Sequence, residues 1–161
     1  MEPTEVREAG PLRDILMLWV AVGVDNVNEA IDQMLRIVGR YEDTWPDAVR
    51  RLTKAKERTG DGHILVVLHG DKQTNEKFVF EVTKGRYQAP LHRHGDNPDF
   101  DYGEKIWTLE GEITDVDQDQ NAKTFGSEDR DYTHGPGSVH TPLIKTWWVG
   151  IFHQPAGSEL V

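Results

Sequence analysis

The chain contains no cysteine, which excludes a disulfide frame and any thiolate metal site. A metal held here has to be held by nitrogen and oxygen donors. Long apolar runs are missing too: Leu16 to Val24 is apolar but far short of the ~20 residues that span a bilayer. The opening residues, Met-Glu-Pro-Thr-Glu-Val-Arg-Glu, are acidic and lack the basic start of a secretory signal, so a cytoplasmic location is expected. Positive charge is scarce, with 18 Lys and Arg against 28 Asp and Glu, a formal net charge of −10 and a pI near 5.1. That balance argues against nucleic acid and membrane as partners and leaves a small molecule. No nucleophile elbow, Rossmann fingerprint or phosphate-cradling glycine loop occurs.

What is present divides into two textures. Residues 1–60 read as a helical N-terminal segment. Asp25 is the expected cap of a helix in which Val27, Ile31, Met34, Leu35 and Val38 share one face, and Gly39 is the expected stop. Thr44-Trp-Pro-Asp47 resembles a capping box with proline in the first turn and introduces a basic helix, Ala48 to Arg58. Leu12 to Val24 fits a helix at its beginning and a strand at its β-branched end. Residues 61–161 alternate short β runs with turn clusters: His63–His69, Lys77–Thr83, Tyr87–His94, Lys105–Leu109, Glu112–Val116, Lys123–Phe125, Val139–Ile144 and Trp147–His153. Such spacing predicts a β-sandwich or barrel. Asp96 to Asp131 holds twelve carboxylates against three cations. A solvated face of loops and hairpin turns accounts for that run; the sharper reading is a field that draws in a cation. Within it, Asp115 to Asn121 mimics the opening of a calcium loop, but Gln120 stands where that loop needs glycine, so a hairpin turn is expected.

The residues that carry chemistry are His92-Arg-His94, Glu104 and His140. On a strand, His92 and His94 share one face. If His140 lies on a strand folded against that face, three imidazoles and a carboxylate can converge on one divalent transition metal. Asp96, Asp99 or Asp101 could replace Glu104 as the carboxylate. His63 and His69 flank an apolar strand and are read as capping its ends, and His134 as a loop histidine. Trp19 and Trp45 are read as packing anchors of the N-terminal segment. By alternation, Gln88, Ile106 and Thr108 face the pocket and Trp107 faces away. Trp147 and Trp148 point to opposite faces, so one of them enters the pocket.

Gly85, six residues, His-x-His, then Glu104-Lys-Ile-Trp-Thr-Leu-Glu-Gly111 resembles the first cupin motif, and Gly135-Pro-Gly-Ser-Val-His140 resembles the second. Leu109-Glu-Gly-Glu112 and Gly137 to Pro142 look most like the ChrR-like cupins. The spacer Gly95 to Gly103 is longer than the family's usual one and reads as an enlarged loop at the barrel mouth. The resemblance implies a cupin-type β-barrel, or jelly roll, at residues 61–161, with His92, His94, Glu104 and His140 as metal ligands and a homodimer as the assembly. Iron is the first choice of metal, with zinc, nickel or manganese as alternatives. The implied function is an Fe(II) dioxygenase acting on a small organic substrate. The alternatives are a redox-neutral isomerase or decarboxylase, or a ligand-sensing module without catalysis.

Overall fold

The computed structural model describes residues 10–23, 26–58, 60–74, 76–89, 92–93, 104–126, 131–133 and 139–154, with 92–93 and 131–133 described by their backbone. Three helices come first: α1 (Pro11–Leu18), α2 (Val27–Val38) and α3 (Ala48–Ala55). Short 3₁₀ turns extend α2 through Gly39–Tyr41 and α3 through Lys56–Arg58. Ten strands follow: β1 (His63–Asp71), β2 (Glu76–Lys84), β3 (Tyr87–Gln88), β4 (His92–Arg93), β5 (Lys105–Gly111), β6 (Ile113–Asp117), β7 (Ala122–Phe125), β8 (Asp131–Thr133), β9 (Val139–Ile144) and β10 (Trp147–Gln154).

The helices differ from expectation at their ends. Asn26, not Asp25, caps α2: its side chain accepts from the Glu29 N–H, three residues on, at 3.1 Å. The α-helix does end at Gly39, its C-cap, but the glycine keeps right-handed helical angles and leads into the 3₁₀ turn. Asp47 makes no side-chain cap to α3 and instead pairs with Arg50 and Arg51. The ambiguous stretch resolves into α1 up to Leu18, followed by non-helical backbone from Trp19 to Gly23.

The strands form two antiparallel sheets. Sheet A has the order β1-β2-β10-β5-β8; sheet B has the order β3-β9-β6-β7, with β4 also on β9. This is a jelly-roll sandwich. It is the expected jelly roll; among the described residues no ladder joins one sheet to the other. The run Tyr87–His94 is two short strands rather than one, and β8 had no counterpart in the sequence reading. The chain instead crosses between sheets at corners, and two of these need glycine. Gly85 and Gly111 have φ of 83° and 76°, a region that costs an L side chain dearly. At Gly111 an added Cβ would also lie 1.9 Å from the Trp147 carbonyl oxygen. The motif glycines are therefore corner residues.

The larger core lies outside the sandwich. Ile64, Val66 and Leu68 of β1, Phe78, Phe80 and Val82 of β2, Trp107, Leu109, Trp147, Val149 and Ile151 pack against the helices. From the other side come Leu12, Ile15, Ile31, Met34, Val38, Trp45 and Leu52. Helices and sheet A thus share one apolar core, and the sheet's outer face is covered by its own chain. Glu110 fastens this layer. Its carboxylate accepts from Trp19 Nε1 at 3.0 Å and from the Val22 and Gly23 N–H groups at 2.9 and 3.0 Å. A second, smaller cluster (Ile106, Ile113, Phe125, Ile144 and Trp148) lies between the sheets. No helix among the described residues is long and apolar enough to cross a membrane.

Candidate metal site

His140 lies on β9, the strand between β4 and β6 in sheet B. It is directly opposite His92 on one side and Asp117 on the other. In an antiparallel ladder, directly opposed residues share one face of the sheet. Ile144, four residues on from His140, belongs to the inter-sheet cluster, so alternation puts His140 on the inside. It is 1% exposed, and its Nδ1 is 3.1 Å from Asp115 Oδ1. Asp115 sits diagonally across the β6–β9 ladder, opposite Pro142. With the carboxylate accepting, Nδ1 carries the proton and the Nε2 lone pair is the donor. A carboxylate so placed fixes the ring's orientation and raises the basicity of its other nitrogen, as it does for histidines that bind metals.

Glu104 immediately precedes β5 and is 5% exposed. By alternation with Ile106 and Thr108 it belongs to the inner side of sheet A. The β5–β6 corner at Gly111 brings the start of β5 and the end of β6 to the same end of the sandwich. The residue at that end of β6, Asp117, pairs with His140. Fold and register therefore bring Glu104, His92 and His140 to one end. Hydrocarbon collects toward the other, where Trp148, Ile113, Phe125 and Ile144 lie level with the Gly111 corner.

The wall between these ends contains Thr108, whose hydroxyl accepts the indole N–H of Trp148 at 3.0 Å. Both residues are buried, so the bond fixes the Trp148 ring. Trp148 is the tryptophan that enters the inter-sheet space, while Trp147 packs on the helix side. Trp107 faces the helices as alternation predicts, and Ile106 faces inward. Gln88 is exposed and pairs with Leu143; it lies in the short, interrupted strand where alternation from His92 does not carry through. His94, Asp96, Asp99, Asp101 and His134 lie outside the described residues. Among the described residues no group of three or more His, Asp or Glu side chains is gathered closely enough to hold a metal ion.

Further titratable groups flank this interior. The Tyr87 ring lies tilted against His63 with ring centroids 4.1 Å apart, and His63 Nε2 pairs with Glu81. Burial, and then the Glu81 charge, push the Tyr87 hydroxyl above its ordinary value. His153, fully buried beside the Phe78 ring, pairs with Glu76 at 3.0 Å. That hydrogen bond holds the Glu76 carboxyl below the usual range. His69 does not cap a strand end; its ring lies parallel to Trp45. The Asp117–Asn121 turn is the expected hairpin. Gln120 has φ of 66°, and Asp117 accepts from the Asp119 and Asn121 N–H groups. Its carboxyl is lowered chiefly by the Asn121 N–H.

Two carboxylates were missed from sequence: Asp115, which holds His140, and Glu110, which holds Trp19. Neither stood out in an acid-rich run, where only the register of non-local strands distinguishes a buried carboxylate from a wet one.

No protein-family model matches the chain, and no curated protein matches it. Solved structures do. A cupin-2 domain protein from Shewanella frigidimarina is 19% identical, with 57% of this chain and 79% of that one covered and a TM-score of 0.44. A cupin superfamily protein from Desulfitobacterium hafniense is 8% identical, with 58% and 77% covered and a TM-score of 0.48. The polyketide cyclase RemF from Streptomyces resistomycificus is 15% identical, with 62% and 70% covered and a TM-score of 0.48. At these values the neighbours are reported as likenesses of shape. His140, Glu104 and the ladder position of His92 rest on this chain's own register and burial.

Proposed function

We propose that this chain is a metal-binding protein of cupin type that works as an Fe(II) dioxygenase on a small organic substrate. His92, His94, His140 and Glu104 are the residues that would hold the ion. The observation that carries this reading is His140: buried, opposite His92 in the ladder, with its Nδ1 engaged by a carboxylate that leaves Nε2 as the donor. Buried His153 has a carboxylate partner too, in Glu76; what sets His140 apart is its place opposite His92 in the ladder. The donor set, imidazole and carboxylate without sulfur, suits Fe, Mn, Ni or Zn rather than copper(I).

Iron(II) bound there supplies redox chemistry toward dioxygen. The protein's own part is to orient and to exclude water. Asp115 holds the His140 ring at a fixed angle. Trp148, pinned by Thr108, forms with Ile106 and Ile113 an apolar wall. The indole N–H is already used, so this wall offers hydrocarbon and selects an aliphatic or aromatic body rather than a polar one. Glu104 contributes the negative charge that offsets a divalent ion.

The test is elemental analysis of anaerobically purified protein, followed by oxygen-electrode measurements with enol, ketone and phenol substrates. Near-stoichiometric iron with substrate-dependent oxygen uptake is expected. Zinc, nickel or manganese without oxygen uptake would replace this reading with redox-neutral isomerisation or decarboxylation. Protein that takes up no divalent metal would remove it altogether.

A further inference from the structure

A cleft of about 780 Å³ runs between α3 and β1, on the edge of sheet A. Its lining carries five cations: Arg51, Lys54, Arg58, Lys72 and Lys77. In a chain with a net charge of −10 that concentration is the reverse of the average surface. Leu65, Val66 and Val67 make its floor, and Leu65 is 47% exposed. Among the described residues Asp71 is the one carboxylate in the lining, and it is turned into the hairpin, accepting from the Gln73 and Thr74 N–H groups.

The cations are spread along the cleft. Arg51 Nη1 donates to the Val67 carbonyl at 3.1 Å, which fixes the level at which helix and strand meet. The chain turns back between Arg58 and His63, so Arg58 lies toward the start of β1. Lys72 and Lys77 lie at the far end, where β1 turns into β2. Leu65 to Lys72 extends over roughly 20 Å at strand rise. A compact anion needs convergent donors, whereas charges strung along an edge strand fit an extended polyanion. Arg51 also pairs with Asp47, at 3.7 Å. Lys54, Arg58, Lys72 and Lys77 have no ion pair among the described residues. Among the described residues the lining has no aromatic residue, so bases would find nothing there to stack on.

We propose that this cleft binds an extended acidic segment of another protein, laid along the edge of β1 with carboxylates on the Lys and Arg rows and aliphatic side chains on Leu65 and Val67. Edge strands recruit extended peptides through their open backbone groups. The basic rows supply the selection for acid. Its Lys77 end lies level with Glu104 across β10, but none of the cleft's cations belongs to the candidate metal site, and the proposal does not depend on that site.

The test uses the full chain and a fluorescein-labelled hexapeptide of alternating Glu and Val, read by fluorescence polarisation. Binding is expected to weaken roughly tenfold in the Lys54→Glu/Arg58→Glu double variant, since each exposed pair contributes up to about fivefold and here repulsion replaces it. Binding should also fall several-fold between low and physiological salt, and a Lys-Val hexapeptide should not bind. Lys54 is exposed on α3 and Arg58 on the 3₁₀ turn that follows it, and circular dichroism checks that the variant folds. Leu65→Asp, on the floor, should weaken the acidic peptide independently. Equal affinity in the double variant, or no binding at millimolar peptide, would overturn the proposal. So would tighter, variant-sensitive binding of pyrophosphate or oligothymidine. Self-association in sedimentation that the double variant abolishes would overturn it as well, since the occupant would then be a second copy.

Discussion

Replacing Glu110 with alanine should be among the most damaging changes that leave His140 and Glu104 untouched. The side chain is 6% exposed and accepts three hydrogen bonds, all from the stretch that joins α1 to α2. Each bond to a charged group contributes ~1.5–3 kcal/mol, but not every donor is stranded by its loss. Gly23 is exposed and Val22 half-buried, so their N–H groups can turn to water. The Trp19 indole cannot follow, because its ring is buried and packs against Phe80 at 6.0 Å. One stranded N–H and the loss of the tether together should cost about 3–4 kcal/mol, a large share of the ~5–15 kcal/mol that keeps a domain folded. Glu110→Gln should cost less, about 1–2 kcal/mol. Its amide oxygen can keep Trp19 and Val22, while its NH₂ faces the Gly23 donor. Trp19→Phe keeps the ring and removes the donor. The double variant with Glu110→Ala should therefore fall short of the sum of the singles. Urea unfolding read by tryptophan fluorescence measures each value, and amide exchange at Val20 to Gly23 should quicken in the alanine variant. A loss under 1 kcal/mol for alanine, or a glutamine variant as weak as alanine, would refute the clamp.

Other consequences are as direct. Thr108→Val keeps shape but strands the buried Trp148 N–H, and should cost ~1–3 kcal/mol with altered Trp148 fluorescence; an unchanged urea midpoint would contradict the pairing. Gly111→Ala, with φ of 76° and backbone 1.9 Å from the new Cβ, should abolish folding or shift the corner. Soluble, wild-type-like protein would show the corner to be wrongly drawn. Because Glu76 is held below its ordinary value of 4.5, its contribution is complete above that pH and is lost as pH falls through the lower folded value. Glu76→Gln should therefore destabilise at pH 7, and the gap from wild type should narrow toward pH 3; a gap that widens in acid would reverse the sign.

Much of this was legible from the residues. Period-two alternation put Trp107 and Ile106 on opposite faces, and the paired tryptophans split as their adjacency demands. The glycines at 85 and 111 stood out only as motif positions; the structure makes them corners, with φ values that favour glycine. What stayed hidden was non-local. A helix shows an apolar face but not what covers it, so the sequence did not reveal that the largest core lies between helices and sheet A. Asp115 read as one more acid in a hairpin until the β6–β9 register set it beside His140. Three-residue β8 is too short to leave a period.

Cobalt(II) titration of metal-stripped protein, followed by its visible absorption, asks most directly whether His140 is a ligand held by Asp115. One equivalent should bind the wild type, Asp115→Asn should bind roughly 10–100-fold more weakly, and His140→Ala should show no such site. Equal affinity in all three, with each protein folded, would contradict it.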